Sequence, residues 1–241
     1  MFLDILIIVG LTVLAGALIP LGGLLASVES IRPNWLEKEF RHFLIALGGG
    51  ILLGAVSVVL IPEGQSSMGD SLWAIPAIAA GGVLFFLVER AMGLKRRESP
   101  QLMGLMLDFI PEAIALGGLA VVSPETAVLM AVLIAIQNLP EGFNAYRELV
   151  SLPGYTSRKT LAFMGSLVLT GPVAGLLGYF FLSDRPMILG AVMLAASGGI
   201  LYLIFQDIAP QSRLDRHWGP PLGAVAGFCL ALFSHDFVTH V

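Results

Sequence analysis

The sequence has a single cysteine, Cys229, so no disulfide can form within the chain. A lone cysteine in an apolar stretch packs as a small hydrophobe. Histidine is scarce too: His42, His217, His235 and His240 all fall outside the interiors of the long apolar runs. No imidazole is therefore on hand at depth for a catalytic pair or a nitrogen-rich metal site. Charge is low, with Asp, Glu, Lys and Arg making up 12% of residues against roughly 25% in soluble domains. Almost nothing remains from which to build a water-soluble domain, and no nucleic-acid partner is expected.

Hydrophobicity is what the chain has in excess, with 56% hydrophobic residues and a mean hydropathy of +0.88. A helix needs about 20 apolar residues to cross a bilayer core, and eight such runs occur, near 4–27, 43–61, 72–92, 102–121, 126–146, 159–182, 187–208 and 220–238. The expectation is an all-α, polytopic membrane protein in which residues 1–241 form one transmembrane domain. The first run has no basic segment before it and is longer than a signal-peptide core, so it reads as a helix. Eight spans put both termini and three loops on one side and four loops on the other. Arg32, Lys38, Arg41, Arg90, Lys95, Arg96, Arg97, Arg147, Arg158, Lys159, Arg213 and Arg216 fall on the four-loop side, and Arg185 alone on the other. The positive-inside rule then predicts a cell (inner) membrane protein with both termini on the outer, periplasmic side.

Against this apolar background the fourth and fifth spans stand out. They read Asp108-Phe109-Ile110-Pro111-Glu112-Ala113 and Gln137-Asn138-Leu139-Pro140-Glu141-Gly142, in effect one motif written twice. Residues four apart share a helix face, so Asp108 stacks with Glu112 and Gln137 with Glu141. Each proline removes the bond to the carbonyl four residues back, which leaves those of Leu107 and Ile136 spare. The short turn at Val122-Ser123-Pro124-Glu125 makes the two spans antiparallel neighbours. That hairpin sets Asp108 level with Glu141 and Glu112 level with Gln137, with Asn138 beside this face and Asn144 nearer the inner exit.

Three carboxylates at such depth cost about 8–10 kcal/mol on the insertion scale before their mutual repulsion. The two spans contain no Lys or Arg at that level to pair with them. A divalent cation, replaced by protons when it leaves, satisfies them economically. A hydrogen-bonded carboxyl network without a ligand is the competing reading.

Elsewhere the reading is plainer. Gly48, Gly49, Gly50 and Gly54, Gly171 and Gly175, and Gly223 and Gly227 are small residues at helix-packing spacing. Gly49-Gly50-Ile51-Leu52 running to Ile61-Pro62, and Gly198-Gly199-Ile200-Leu201 running to Ala209-Pro210, lie in spans that cross in opposite directions. That pattern suggests an inverted repeat, a device of secondary transporters. Glu63 and Asp70 stand at the outer end of span 2, either as cation attractors or as a solvated loop, and Asp207 stands at the inner end of span 7, either as a receiver of a departing ion or as a hydrated acid. His235, Asp236 and His240 read as a flexible C-terminal end in preference to a weak outer metal site, and His42 and His217 as solvated.

The eight spans, the paired Pro-Glu motifs, the Pro-Glu-Gly ending of span 2 and the Glu-Arg ending of span 3 together resemble the ZIP (Zrt/Irt-like) family of divalent metal transporters, in its prokaryotic form. Gln137-Asn138-Leu139-Pro140-Glu141-Gly142 is the most specific piece. The resemblance implies a 3+2+3 helix arrangement, a transport site between spans 4 and 5, and metal movement into the cytoplasm by an elevator-like or rocking change. It implies Glu112, Gln137 and Glu141 as ligands, Asp108 in the place of the usual histidine, and Asn138 at a position that serves a second metal. Phe109 in place of Asn and Gly171-Pro172 in place of Glu-Pro depart from that second site. Asp108 leaves an all-oxygen side-chain set, harder than a typical zinc site and better suited to Mn(II) or Fe(II), although carboxylates also ligate zinc.

The expected function is transport rather than catalysis. The substrate is a divalent ion, zinc by resemblance, with manganese, iron, cobalt or cadmium as alternatives, and the bilayer and a second copy of the chain are the other expected partners. A membrane-embedded metal-dependent hydrolase and a metal-binding protein without flux are the competing functions.

Overall fold

The computed structural model describes residues 1–28, 34–69, 72–92, 100–215 and 217–239. Of the sequence expectations, those on Arg32, Asp70, Lys95, Arg96, Arg97, Arg216 and His240 fall outside the described residues. Within them the structure is helical, and no strand is found. Eight helices are long and apolar enough to cross a membrane: α1 (Phe2–Val28), α2 (Lys38–Ser67), α3 (Ala74–Met92), α4 (Gln101–Val122), α5 (Pro124–Val150), α6 (Ser157–Leu182), α7 (Pro186–Ser212) and α8 (Gly219–Val238). By length and composition the chain is a multi-pass membrane protein.

The apolar runs of spans 2 and 7 close at residues 61 and 208, and the helices run on past Pro62 to Ser67 and past Pro210 to Ser212. The reason is a π turn immediately before each proline, over Val56–Leu60 in α2 and Ile204–Ile208 in α7. There Ile61 N–H reaches back to the Val56 carbonyl and Ala209 N–H to that of Ile204, five residues rather than four. Each proline's missing N–H thus falls where the regular ladder is already interrupted, and the helix continues.

The helices group into two halves. In one, α5 packs on α1 and α4 packs on α6, with α4 and α5 side by side; in the other, α2 packs on α8 and α3 on α7. The halves meet along α2 with α5 and along α7 with α4. Glycine sets the spacing inside each half. A Cβ added at Gly142 would lie 2.3 Å from the Ile19 carbonyl oxygen, and one at Gly178 would lie 1.9 Å from that of Ile114. The α2–α8 and α3–α7 seams are closed the same way, by Gly50 against Ala224 and Gly81 against Ala195. Backbone therefore meets backbone along these seams, as the small-residue spacing anticipates. Between the halves the contacts are softer: Gly48 faces the side chains of Pro140 and Glu141, and Gly118 faces that of Leu189.

Candidate metal site

The α4–α5 hairpin carries the site, and its register follows from the turn. Residues equally distant from the turn face one another: Ser123 and Thr126 hydroxyls are 2.7 Å apart, and Gln137 Nε2 donates to Glu112 Oε2 at 2.6 Å. Asp108 and Glu141, the next mirror pair, line one cavity with Gly104, Leu105, Asn144 and Asp207. The sequence pairing of Glu112 with Gln137 and of Asp108 with Glu141 is what the hairpin adopts. Asp108, Glu112 and Gln137 are 2%, 1% and 0% exposed, and both carboxylate oxygens of Glu141 are buried. Asp108 sits in the electrostatic field of both Glu141 and Glu112.

Hydrogen bonding leaves this region lopsided. Asp108 Oδ1, Glu112 Oε1, Gln137 Oε1, Asn138 Oδ1, Glu141 Oε1 and Oε2, and Asn144 Oδ1 are buried and have no donor within the described protein. All are acceptors. Buried acceptors are almost always satisfied, so a concentration of them in one place calls for a positive charge or a donor: a cation, protons or water. The cavity beneath Asp108 and Glu141, about 30 Å³, is large enough for an ion or a water molecule.

The site residues are not equally placed. Among the described residues, no three His, Cys, Asp or Glu side chains gather at metal-binding distance. The facing pairs are formed, and ligation requires side-chain rotation to close them on one point. Asn138 is the most committed: its Nδ2 donates to the Ala15 carbonyl of α1 at 2.9 Å, which leaves Oδ1 as its one atom for a ligand. Phe109 points away from the carboxylates, its ring tip lying 3.1 Å and 2.9 Å from where a Cβ would stand on Gly16 and Gly171. Gly171 thus makes room for an aromatic ring. Asn144 donates to the Pro140 carbonyl at 2.9 Å.

At the end of the hairpin that carries the turn, Thr126 donates to Glu63 Oε1 at 2.8 Å. Glu63, which the sequence leaves between cation attractor and solvated loop, ties α2 to the start of α5. At the opposite end Gln101 Nε2 donates to Gln211 Oε1, joining α4 to α7. Asp207 lines the cavity below Asp108 and Glu141. His217 lies 3.4 Å from Glu39, and His42 contacts the Lys38 carbonyl at 2.6 Å. Glu148, which the motifs do not flag, accepts from two backbone N–H groups of α4. Its signal in the sequence is its spacing, seven residues beyond Glu141 and so on the same helix face.

No family model matches the chain, and no curated protein matches it.

Proposed function

We propose that this protein carries a divalent transition-metal ion across the membrane into the cytoplasm, as a ZIP-like transporter. The observation that carries the proposal is the set of buried acceptor oxygens on Asp108, Glu112, Gln137, Asn138, Glu141 and Asn144 without a donor. Three carboxylates and three amides suit a hard or borderline cation, and they line the seam of a hairpin that spans the bundle. Asp108, Glu112, Gln137 and Glu141 are the ligands in this reading. Gln137 exchanges its donor contact with Glu112 for ligation through Oε1, and Asn138 keeps α5 tied to α1 through Ala15. Glu63 with Thr126 closes the outer end, and Gln101 with Gln211 closes the inner end.

The two-half construction supports movement. Seams within each half are backbone on backbone, while those between the halves rest on side chains, so sliding of one half against the other disturbs the least packing. The helix pairings support inverted repeats in a 3+2+3 order. The α1–α5 contact is mirrored by α6–α4, α2–α8 by α7–α3, and α2–α5 by α7–α4, and the π turns of α2 and α7 correspond. Basic residues on the four-loop side support termini on the outer side of the cell membrane.

Flux of Mn, Fe, Co, Zn and Cd, measured in competition in proteoliposomes, tests the proposal. Saturable entry of at least one ion is the expected result. Binding without flux, or metal-stimulated hydrolysis without net movement, overturns it. The oxygen-only ligand set makes a second prediction: Asp108→His shifts the competition toward Zn over Mn by about tenfold, because it restores a nitrogen donor. An unaltered ratio removes Asp108 from the ligand set.

A further inference from the structure

The mirror pairing of the hairpin extends beyond the carboxylates to its far end. Gln101 and Glu148 are as far from the turn as each other, and there the pairing takes a different form. Glu148 Oε2 accepts from the backbone N–H of Gln101 at 3.0 Å and from that of Leu102 at 3.3 Å. These N–H groups belong to the first turn of α4, where no helical carbonyl is available to them. A side chain of the neighbouring helix α5 thus caps the start of α4.

We propose that Glu148 is a positioning residue, a register clamp that holds the start of α4 level with the end of α5 so that Asp108 and Glu141 face each other. The proposal rests on the metal-site reading only for the effect on affinity. Its geometry stands alone. Asp108 lies seven residues, two turns, into α4 from Gln101, and Glu141 lies the same distance back along α5 from Glu148. At the turn the Ser123–Thr126 contact holds the hairpin, but the turn face is about fifteen residues from Asp108, and both helices carry a proline in between. Proline breaks the ladder and lets a helix bend. The prolines therefore uncouple the inner ends from the turn, and a second fixing point is needed beyond them. Glu148 supplies it with a carboxylate on two N–H groups, the charge-assisted geometry that is among the strongest hydrogen bonds available. Arg41 of α2, in the other half, acts on the same carboxylate through its charge, so an ion pair is the alternative role.

The variants that separate these roles are Glu148→Met, which keeps the length and removes the acceptor, and Glu148→Gln, which keeps an acceptor oxygen and removes the charge. Hydrogen exchange of the segment 101–108 and Mn(II) and Zn(II) affinity of the purified full chain are the two readouts. Expected for Glu148→Met is faster exchange in that segment, with α6 unaffected, and metal affinity weaker by about 10–100-fold, the effect of removing a group that orients ligands. Glu148→Gln restores both to within a few-fold. Wild-type exchange in Glu148→Met overturns the clamp, and failure of Glu148→Gln to restore exchange assigns the residue to the Arg41 ion pair instead. Faster exchange in a protein whose unmutated form binds none of Mn, Fe, Co, Zn and Cd removes the transport reading and leaves the clamp standing.

Discussion

Glu141→Ala abolishes metal flux and, in the absence of metal, leaves the protein as stable as before or more so. The first half follows from donor count. Glu141 contributes two buried oxygens that the protein itself does not satisfy, and it is the acidic member of the fifth-span motif. Removing it takes away one of three negative charges that balance a doubly charged ion, at a depth where water does not replace it. The second half follows from desolvation: a buried carboxylate with no partner costs roughly 2.5–3.5 kcal/mol at a helix centre, and alanine relieves that cost while leaving only a small cavity. Loss of function with a gain in stability is the mark of a site kept for function. Glu112→Ala behaves alike in flux but gains less, since Gln137 Nε2 then loses its acceptor. Radiolabelled metal uptake into proteoliposomes, with thermal unfolding of the same preparations in chelator, reads both quantities. Full flux in both variants ends the mechanism, and a loss of flux that only tracks a loss of stability means the carboxylates are structural.

Gly142→Ala is the second large effect, and it acts through packing. Its new Cβ would stand 2.3 Å from the Ile19 carbonyl oxygen, against a normal C···O approach of about 3.3–3.6 Å. The oxygen belongs to the backbone of one helix and the Cβ is rigidly attached to that of the other, so neither gives way alone, and α1 and α5 must separate by about 1 Å to admit the methyl group. Overpacking of this kind costs about 1–3 kcal/mol. The shift arises one residue from Glu141 and on the helix pair that Asn138 joins to Ala15, so metal affinity falls as well, by about 10–100-fold. Gly165→Ala is the control. It lies in α6 with nothing within 4 Å of its Cβ position, and helix propensity alone stabilises it by up to about 1 kcal/mol. Thermal unfolding and metal titration of the two variants side by side test the difference, and equal behaviour would show that the α1–α5 seam is more compliant than its spacing implies.

Much of this architecture is legible in the order of residues alone. Runs of apolar residues locate the eight helices because a bilayer imposes a length, and the hairpin pairing of Glu112 with Gln137 follows from counting outward from one turn. The unread parts are those where a residue's partner lies on another helix. Asn138 has no local feature that announces the Ala15 carbonyl, and Phe109 none that announces the space left by Gly16 and Gly171. Glu148 was within reach of the same counting that paired Glu112 with Gln137, but its partners are backbone N–H groups, which no residue type signals. Apolar run length places spans 2 and 7 at 43–61 and 187–208, and the helices continue beyond them through Pro62 and Pro210. A proline normally ends or kinks a helix, and the π turn that absorbs it here is a property of the backbone with no clear residue signature.

Those π turns also set where the chain points afterwards. Each holds one residue beyond a regular turn, so every side chain past it is swung around the helix axis by about 100° compared with an uninterrupted coil. Glu63 meets Thr126 only after that swing, whereas Asp207 lies within its own π turn and lines the cavity from there. The aim of Glu63 is thus fixed by a count of residues upstream as well as by its own identity, and deleting a single residue of that turn would redirect it toward a different neighbour.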